Sequence, residues 1–111
     1  MTINDKLFIY DLKIGLGILV RFNGIIVKEN GISFFFKYDT FSTDQLHIYV
    51  RHLATIDNAL DVFFEANNTW NPEYKRFESK NGTHELYWFW LDDNKTKVMI
   101  ITCFNMYKDK I

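Results

Sequence analysis

An α+β fold, a mostly antiparallel sheet of about six to eight strands with one main helix packed on it, is predicted by three features of the sequence. Apolar and polar residues alternate along most of the chain, one segment instead repeats apolar residues at helical spacing, and Asn-Gly dipeptides punctuate the strand-like stretches. Strand-like runs both precede and follow the helical one, an order that lays a helix on the apolar side of a sheet.

Lys6 to Lys13 alternates Leu7/Ile9 against Phe8/Tyr10/Leu12 and reads as an N-terminal strand, with a short helix as the alternative because Thr2 and Asp5 precede it. Leu16 to Phe22, Ile25 to Lys28 and Ile32 to Tyr38 then form a meander turning at Asn23-Gly24 and Asn30-Gly31. Asn-Gly suits a two-residue hairpin turn because both central residues take positive φ. Ile32, Phe34, Phe36 and Tyr38 share one face of the third run. Leu46 to Leu53 also alternates, with Leu46, Ile48 and Val50 opposite His47, Tyr49 and Arg51, and reads as a half-buried strand.

The period changes between Ile56 and Asn67. Ile56, Ala59, Leu60, Phe63 and Phe64 recur at i, i+3, i+4, i+7 and i+8, with Thr55 placed as N-cap, so this segment is the helix and Phe63 and Phe64 its core anchors. A Trp70-Asn71-Pro72 loop leads to strands over Tyr74 to Ser79, Thr83 to Leu91 and Lys97 to Phe104, with turns at Asn81-Gly82 and Asp92-Asp93-Asn94-Lys95. Leu86 to Leu91 and Val98 to Phe104 are apolar on both faces, which predicts central strands.

A chain of 111 residues carries one core, so residues 1–111 are read as one domain, and 11 Phe, six Tyr and three Trp give that core ample area. The 13 basic and 14 acidic side chains leave a net charge of -1, without the basic footprint of a nucleic-acid binder. The longest apolar run, Ile14 to Val20, is far short of the ~20 residues that span a bilayer, and no basic leader precedes it. A cytoplasmic protein with no membrane partner is therefore expected. Cys103 has no second cysteine to pair with and reads as a small buried thiol. Three Asn-x-Thr triplets, at Asn67, Asn81 and Asn94, are ordinary for an Asn- and Thr-rich chain without a secretory signal.

Motifs that fix a chemistry are missing. Gly15-Leu16-Gly17 is followed by a strand rather than a helix and has no third glycine, so it makes no phosphate loop. His84-Glu85 lacks the second histidine of a helical zinc site, and Asp92-Asp93-Asn94 lacks the later carboxylates of a calcium loop. Ser33, Ser42 and Ser79 stand outside any nucleophile elbow. No catalytic residue, metal or cofactor is expected. The exception to weigh is His47, Tyr49 and Arg51, which on one strand face would supply a general base, a proton donor and an anion clamp for a small hydrolase or nuclease. A solvated sheet face explains the same three residues more simply.

Charge placement is less random. Asp57, Asp61 and Glu65 recur at i, i+4 and i+8, a spacing that costs a helix roughly 0.2–0.5 kcal/mol per like-charged pair. From Asp39 to Glu65 the acids Asp39, Asp44, Asp57, Asp61 and Glu65 face Arg51 alone, giving -4 here and about +3 elsewhere. Such separation suits a docking surface for a basic protein, with Asp57, Asp61, Glu65 and Asp44 as its charges and Trp70 as its apolar anchor. Trp88 and Trp90 are assigned to the core.

In size, aromatic-rich composition and the acidic helix Asp57-Asn58-Ala59-Leu60-Asp61-Val62-Phe63-Phe64-Glu65, the chain resembles the small immunity proteins of bacterial toxin systems, including those of contact-dependent growth inhibition. The resemblance implies a non-catalytic inhibitor that binds a cognate toxin domain, often a basic nuclease surface, and blocks it. A phage- or plasmid-encoded inhibitor of a host defence protein would share these features. The nearly balanced charge departs from the strongly acidic inhibitors of nucleases, which leaves the toxin's activity open.

Overall fold

The computed structural model describes residues 2–14 and 18–107, and the side-chain surroundings of 22–107. The elements run β1 (Thr2–Ile14), β2 (Ile18–Glu29), β3 (Ile32–Lys37), α1 (His47–His52), α2 (Ile56–Glu65), β4 (Asn68–Asn71), β5 (Arg76–Lys80), β6 (His84–Trp90) and β7 (Lys97–Asn105). Strands β2 to β7 form a mixed sheet and β1 extends its edge, in the order β1-β2-β3-β7-β6-β5-β4. Every pairing is antiparallel except β3 with β7, where Phe34 lies opposite Val98 and Phe36 opposite Ile100. The fold is thus α+β with a mostly antiparallel sheet, as the alternation predicts.

The parallel pair is a consequence of the crossover. The chain leaves β3 at the middle of the sheet, passes through both helices to β4 at the far edge, and returns by three antiparallel pairings until β7 meets β3. A parallel neighbour needs such a long connection, which local alternation does not encode. The resulting central position of β7 and its neighbour β6 matches their apolar sequences.

One face of the sheet carries Ile25, Val27, Phe34, Phe36, Leu86, Trp88, Val98, Ile100 and Cys103 into a core closed by Ile48, Ala54, Ala59, Leu60 and Val62 from the helical layer. Cys103 is fully buried, as a small apolar thiol should be. The Trp88 indole N–H is satisfied in that core by Ser79 Oγ at 3.0 Å, and Ser79 in turn donates to Asn68 Oδ1 at 2.5 Å. Tyr38, which the alternation places with Phe34 and Phe36, packs against the same core from just beyond β3.

Four local expectations are corrected. Asn23-Gly24 is no turn: the chain runs straight through it inside β2, and glycine is required because a Cβ would lie 2.0 Å from the Phe36 carbonyl oxygen. Asn30-Gly31, by contrast, is the expected turn, with φ of 52° and 79°. Asn81-Gly82 turns the chain differently, since only Gly82 has positive φ and the Asn81 side chain accepts from the Thr83 and His84 amides. Trp70 and Asn71 belong to strand β4 rather than a loop, and Tyr74 lies in the turn before β5.

The fourth correction matters most: Leu46 to Leu53 is not a strand, because His47–His52 form a second helix. Only Ile48 of this helix is fully buried, and a short apolar run that alternates also places Leu46, Val50 and Leu53 near helical spacing. Packing against β7 decided between the two periods. Gly15-Leu16-Gly17 lies outside the described residues.

Candidate functional site

Helix α2 begins where the sequence places it. Thr55 Oγ1 accepts from the Asn58 amide at 3.1 Å, and Asn58 Oδ1 accepts from the Thr55 amide at 2.9 Å, a reciprocal cap. Ala59, Leu60 and Val62 are buried against the sheet, where α2 packs on β6 and β5. At 3.6 residues per turn, Asp57, Asp61 and Glu65 fall within an arc of about 80° on the other side. All three are exposed. Phe63 is a core anchor as expected, with its ring centroid 4.9 Å from Phe34, 4.8 Å from Trp88 and 6.0 Å from Trp90. Phe64 is not: it touches Phe34 at 5.8 Å yet remains 43% exposed, because its position falls at the margin of the acidic arc.

Asp39 leaves the acidic surface altogether. Its side chain is 1% exposed and accepts from the Phe41 and Ser42 amides and from Arg51 Nε at 2.9 Å, while His47 Nδ1 stands 3.5 Å away. Burial works against its charge, but these donors and the Arg51 guanidinium outweigh it and hold the carboxyl below the usual range. His47 is held below its ordinary value by burial and by Lys37, so it is neutral near pH 7. Arg51 also lies over the Phe41 ring at 5.4 Å.

The second helix therefore dismantles the His47/Tyr49/Arg51 face. His47 and Arg51 are one turn apart and both reach Asp39, whereas Tyr49, about 200° of helix turn from Arg51, lies on the opposite side. The Asp39–Arg51 pair cancels internally, so between residues 39 and 65 the exposed carboxylates Asp44, Asp57, Asp61 and Glu65 have no lysine or arginine left to offset them.

Tyr49 instead borders a slot of about 460 Å³ between α1 and α2, lined by Gln45, Leu46, Tyr49, Ala54, Thr55, Ile56 and Asp57. Asp57 thus belongs to both the slot and the acidic arc, and Asp44 directly precedes Gln45 on the slot wall. Around it the protein exposes apolar side chains, Tyr49 at 51% and Leu53 at 68%. Leu53 caps α1 in the left-handed conformation at φ 55°, its amide bonded to the Tyr49 carbonyl at 2.9 Å. This backbone well is one that glycine more often fills at a helix C-terminus.

Trp70 lies on the helix-bearing face of the sheet, at the end of an aromatic row. Its ring is 4.9 Å from Phe77, Phe77 stacks on Trp88 at 4.5 Å, and Trp88 meets Phe63. With 48% of its surface exposed it sits above a recess of about 410 Å³ shared with Lys75, Phe77, Phe89 and Trp90. The structure thus brings Asp57 to the slot, leaves Asp44 exposed just before Gln45, continues the acids along α2, and sets Trp70 apart on β4.

A further polar cluster is self-contained. Arg76 lies between the rings of Tyr74 at 4.6 Å and Tyr87 at 3.8 Å and is bonded to Glu78 at 2.9 Å. Burial, with a hydrogen bond to Glu85, pushes the Tyr87 phenol up to about 12. Asp92 is held low by Thr96, whose hydroxyl and amide both donate to it, and closes the β6–β7 turn as expected. Among the described residues no cluster of three or more His, Cys, Asp or Glu side chains is arranged to hold a metal. No described helix is long and apolar enough to cross a membrane.

The slot and the Asp39 clamp escape sequence reasoning because both depend on α1 being helical. Besides the near-helical spacing of Leu46, Val50 and Leu53, a signal for it is His47 and Arg51 at i, i+4, a spacing that lets both side chains reach one carboxylate. No family model, curated protein or solved structure matches the chain.

Proposed function

We propose that this protein is a non-catalytic inhibitor that binds a basic protein partner through the outer face of α2, acting as an immunity protein that neutralises a cognate toxin domain. The observation that carries this reading is the set of four exposed carboxylates, Asp44, Asp57, Asp61 and Glu65, in a segment whose one arginine is already paired with Asp39, with Asp57 on the wall of an apolar slot, in a chain of net charge -1. Like charges at helical spacing weaken their own helix, and a partner of opposite charge would reverse that cost on binding. Trp70, apart from α2 on β4, offers a large, half-exposed aromatic anchor packed on Phe77 for a partner broad enough to reach both. The competing hydrolase reading required His47, Tyr49 and Arg51 on one face, and they do not share one.

The test is affinity capture from the source cell with wild type and with the Asp57→Lys, Asp61→Lys, Glu65→Lys triple variant, both checked for unchanged circular dichroism. Wild type should retain a basic protein that the variant loses, and adding wild type in equal molar amount should abolish that protein's isolated activity. Recovery of the same partner with equal salt resistance, or a partner whose activity is unaffected, would refute the reading.

A further inference from the structure

We infer that the slot between α1 and α2 seats an apolar side chain that is flanked, in the partner's own chain, by lysine or arginine. This deepens the proposed protein-binding reading and rests on it. The slot is lined chiefly by the apolar surfaces of Leu46, Tyr49, Ala54 and Ile56, and no basic residue reaches it. Of the basic groups of α1, His47 and Arg51 reach Asp39 on the far side of the helix and His52 packs against Phe104.

An anionic occupant is disfavoured twice. At the N-terminus of α2, where an anion would be held, the Thr55/Asn58 cap already takes up the Thr55 and Asn58 amides, and Asp57 stands at the slot wall. A cation beside the slot meets the opposite situation: Asp57 on the wall, Asp44 next to Gln45, Asp61 one turn further along α2, and the Tyr49 ring as a face for a charged group. Two other recesses lack this combination. The one under Trp70 contains Lys75, and the one between β4 and β6 is polar, with Lys80 among Glu78 and Glu85. Apolar lining and uncompensated negative charge coincide at the α1–α2 slot.

The experiment titrates the isotope-labelled protein with three capped tripeptides, Lys-Phe-Lys, Lys-Ala-Lys and Glu-Phe-Glu, and follows backbone amide resonances. Lys-Phe-Lys should shift amides centred on Tyr49, Ala54, Ile56 and Asp57 in a saturable way. Lys-Ala-Lys, lacking the apolar group, and Glu-Phe-Glu, with reversed charge, should each bind at least about tenfold more weakly. Asp57→Asn should weaken Lys-Phe-Lys by about two- to fivefold without moving the dispersed core resonances. Equal response to Lys-Ala-Lys or Glu-Phe-Glu, shifts centred elsewhere, or no saturable shift up to about 10 mM would overturn the inference. The tripeptides need no natural partner, so the outcome is separable from that of the charge-reversal capture. Failure here with loss of partner in the triple variant removes the slot and leaves the acidic surface, and the converse pattern does the opposite.

Discussion

Phe63 and Phe64 are adjacent, identical in type and both placed in the core by helical spacing, yet the structure assigns them different energies. Phe63 packs edge-on to Phe34, Trp88 and Trp90, three residues of the sheet, whereas Phe64 keeps 43% of its surface in water. Truncating a buried Phe to Ala costs ~3–5 kcal/mol, and because Phe63 is itself only partly buried, about 3 kcal/mol is the appropriate figure. Phe64→Ala, losing one principal sheet contact, should cost about 1 kcal/mol. With a urea dependence of about 1.5 kcal/mol per molar, the midpoints should fall by about 2 M and about 0.7 M respectively. Urea unfolding followed by tryptophan fluorescence is a suitable assay, since Phe63 lies 4.8 Å from Trp88 and the signal reports on the same packing. Equal shifts for the two variants, or a larger one for Phe64→Ala, would show that Phe63 is not the helix's main anchor.

Asp39 has a folded-state pKa below its ordinary value, so its stabilising contribution is complete above the usual carboxylate range and is lost as pH falls through the folded value. Asp39→Asn should therefore be less stable than wild type at neutral pH, and the gap in denaturation midpoint should narrow below about pH 4; a gap that widens contradicts the assignment. Gly24→Ala must push the Phe36 carbonyl away from 2.0 Å, parting β2 from β3, and should lower stability by at least about 2–3 kcal/mol in thermal unfolding. Ser79→Ala leaves the buried Trp88 indole N–H without its acceptor and should cost ~1–3 kcal/mol, read in the same thermal assay.

Much of the sheet was legible because its signals are local. Alternation in Ile32–Lys37, the continuous apolar run within Lys97–Asn105, the two positive-φ residues at Asn30-Gly31 and the Thr55 cap are each decided within a few residues of themselves. What escaped was decided at a distance. Gly24 carries the turn dipeptide, yet the Phe36 backbone approaching from the next strand determines its role. Leu46 to Leu53 satisfies either period, and burial of Ile48 against β7 selected the helix.

The candidate surface divided along the same line. Asp57, Asp61 and Glu65 could be placed because a helix's own period puts them on its outer arc. Asp39 could not, since its partner Arg51 is 12 residues away and comes within reach only when α1 coils. Its burial, with Arg51 paired to it, leaves the exposed acids of this segment as Asp44, Asp57, Asp61 and Glu65, of which Asp57 lines the slot.

If the outer face of α2 steers a basic partner onto the protein, the association rate will report it. The captured partner would be mixed in stopped flow with wild type and with the Asp57→Lys, Asp61→Lys, Glu65→Lys variant at about 50 mM and about 500 mM salt. Steering by these carboxylates predicts that the wild-type rate falls by about tenfold or more as salt is raised, and that the variant, slower at low salt, draws level with it at high salt. Equal association rates for the two proteins, with the same salt dependence, would show that these carboxylates do not steer the partner.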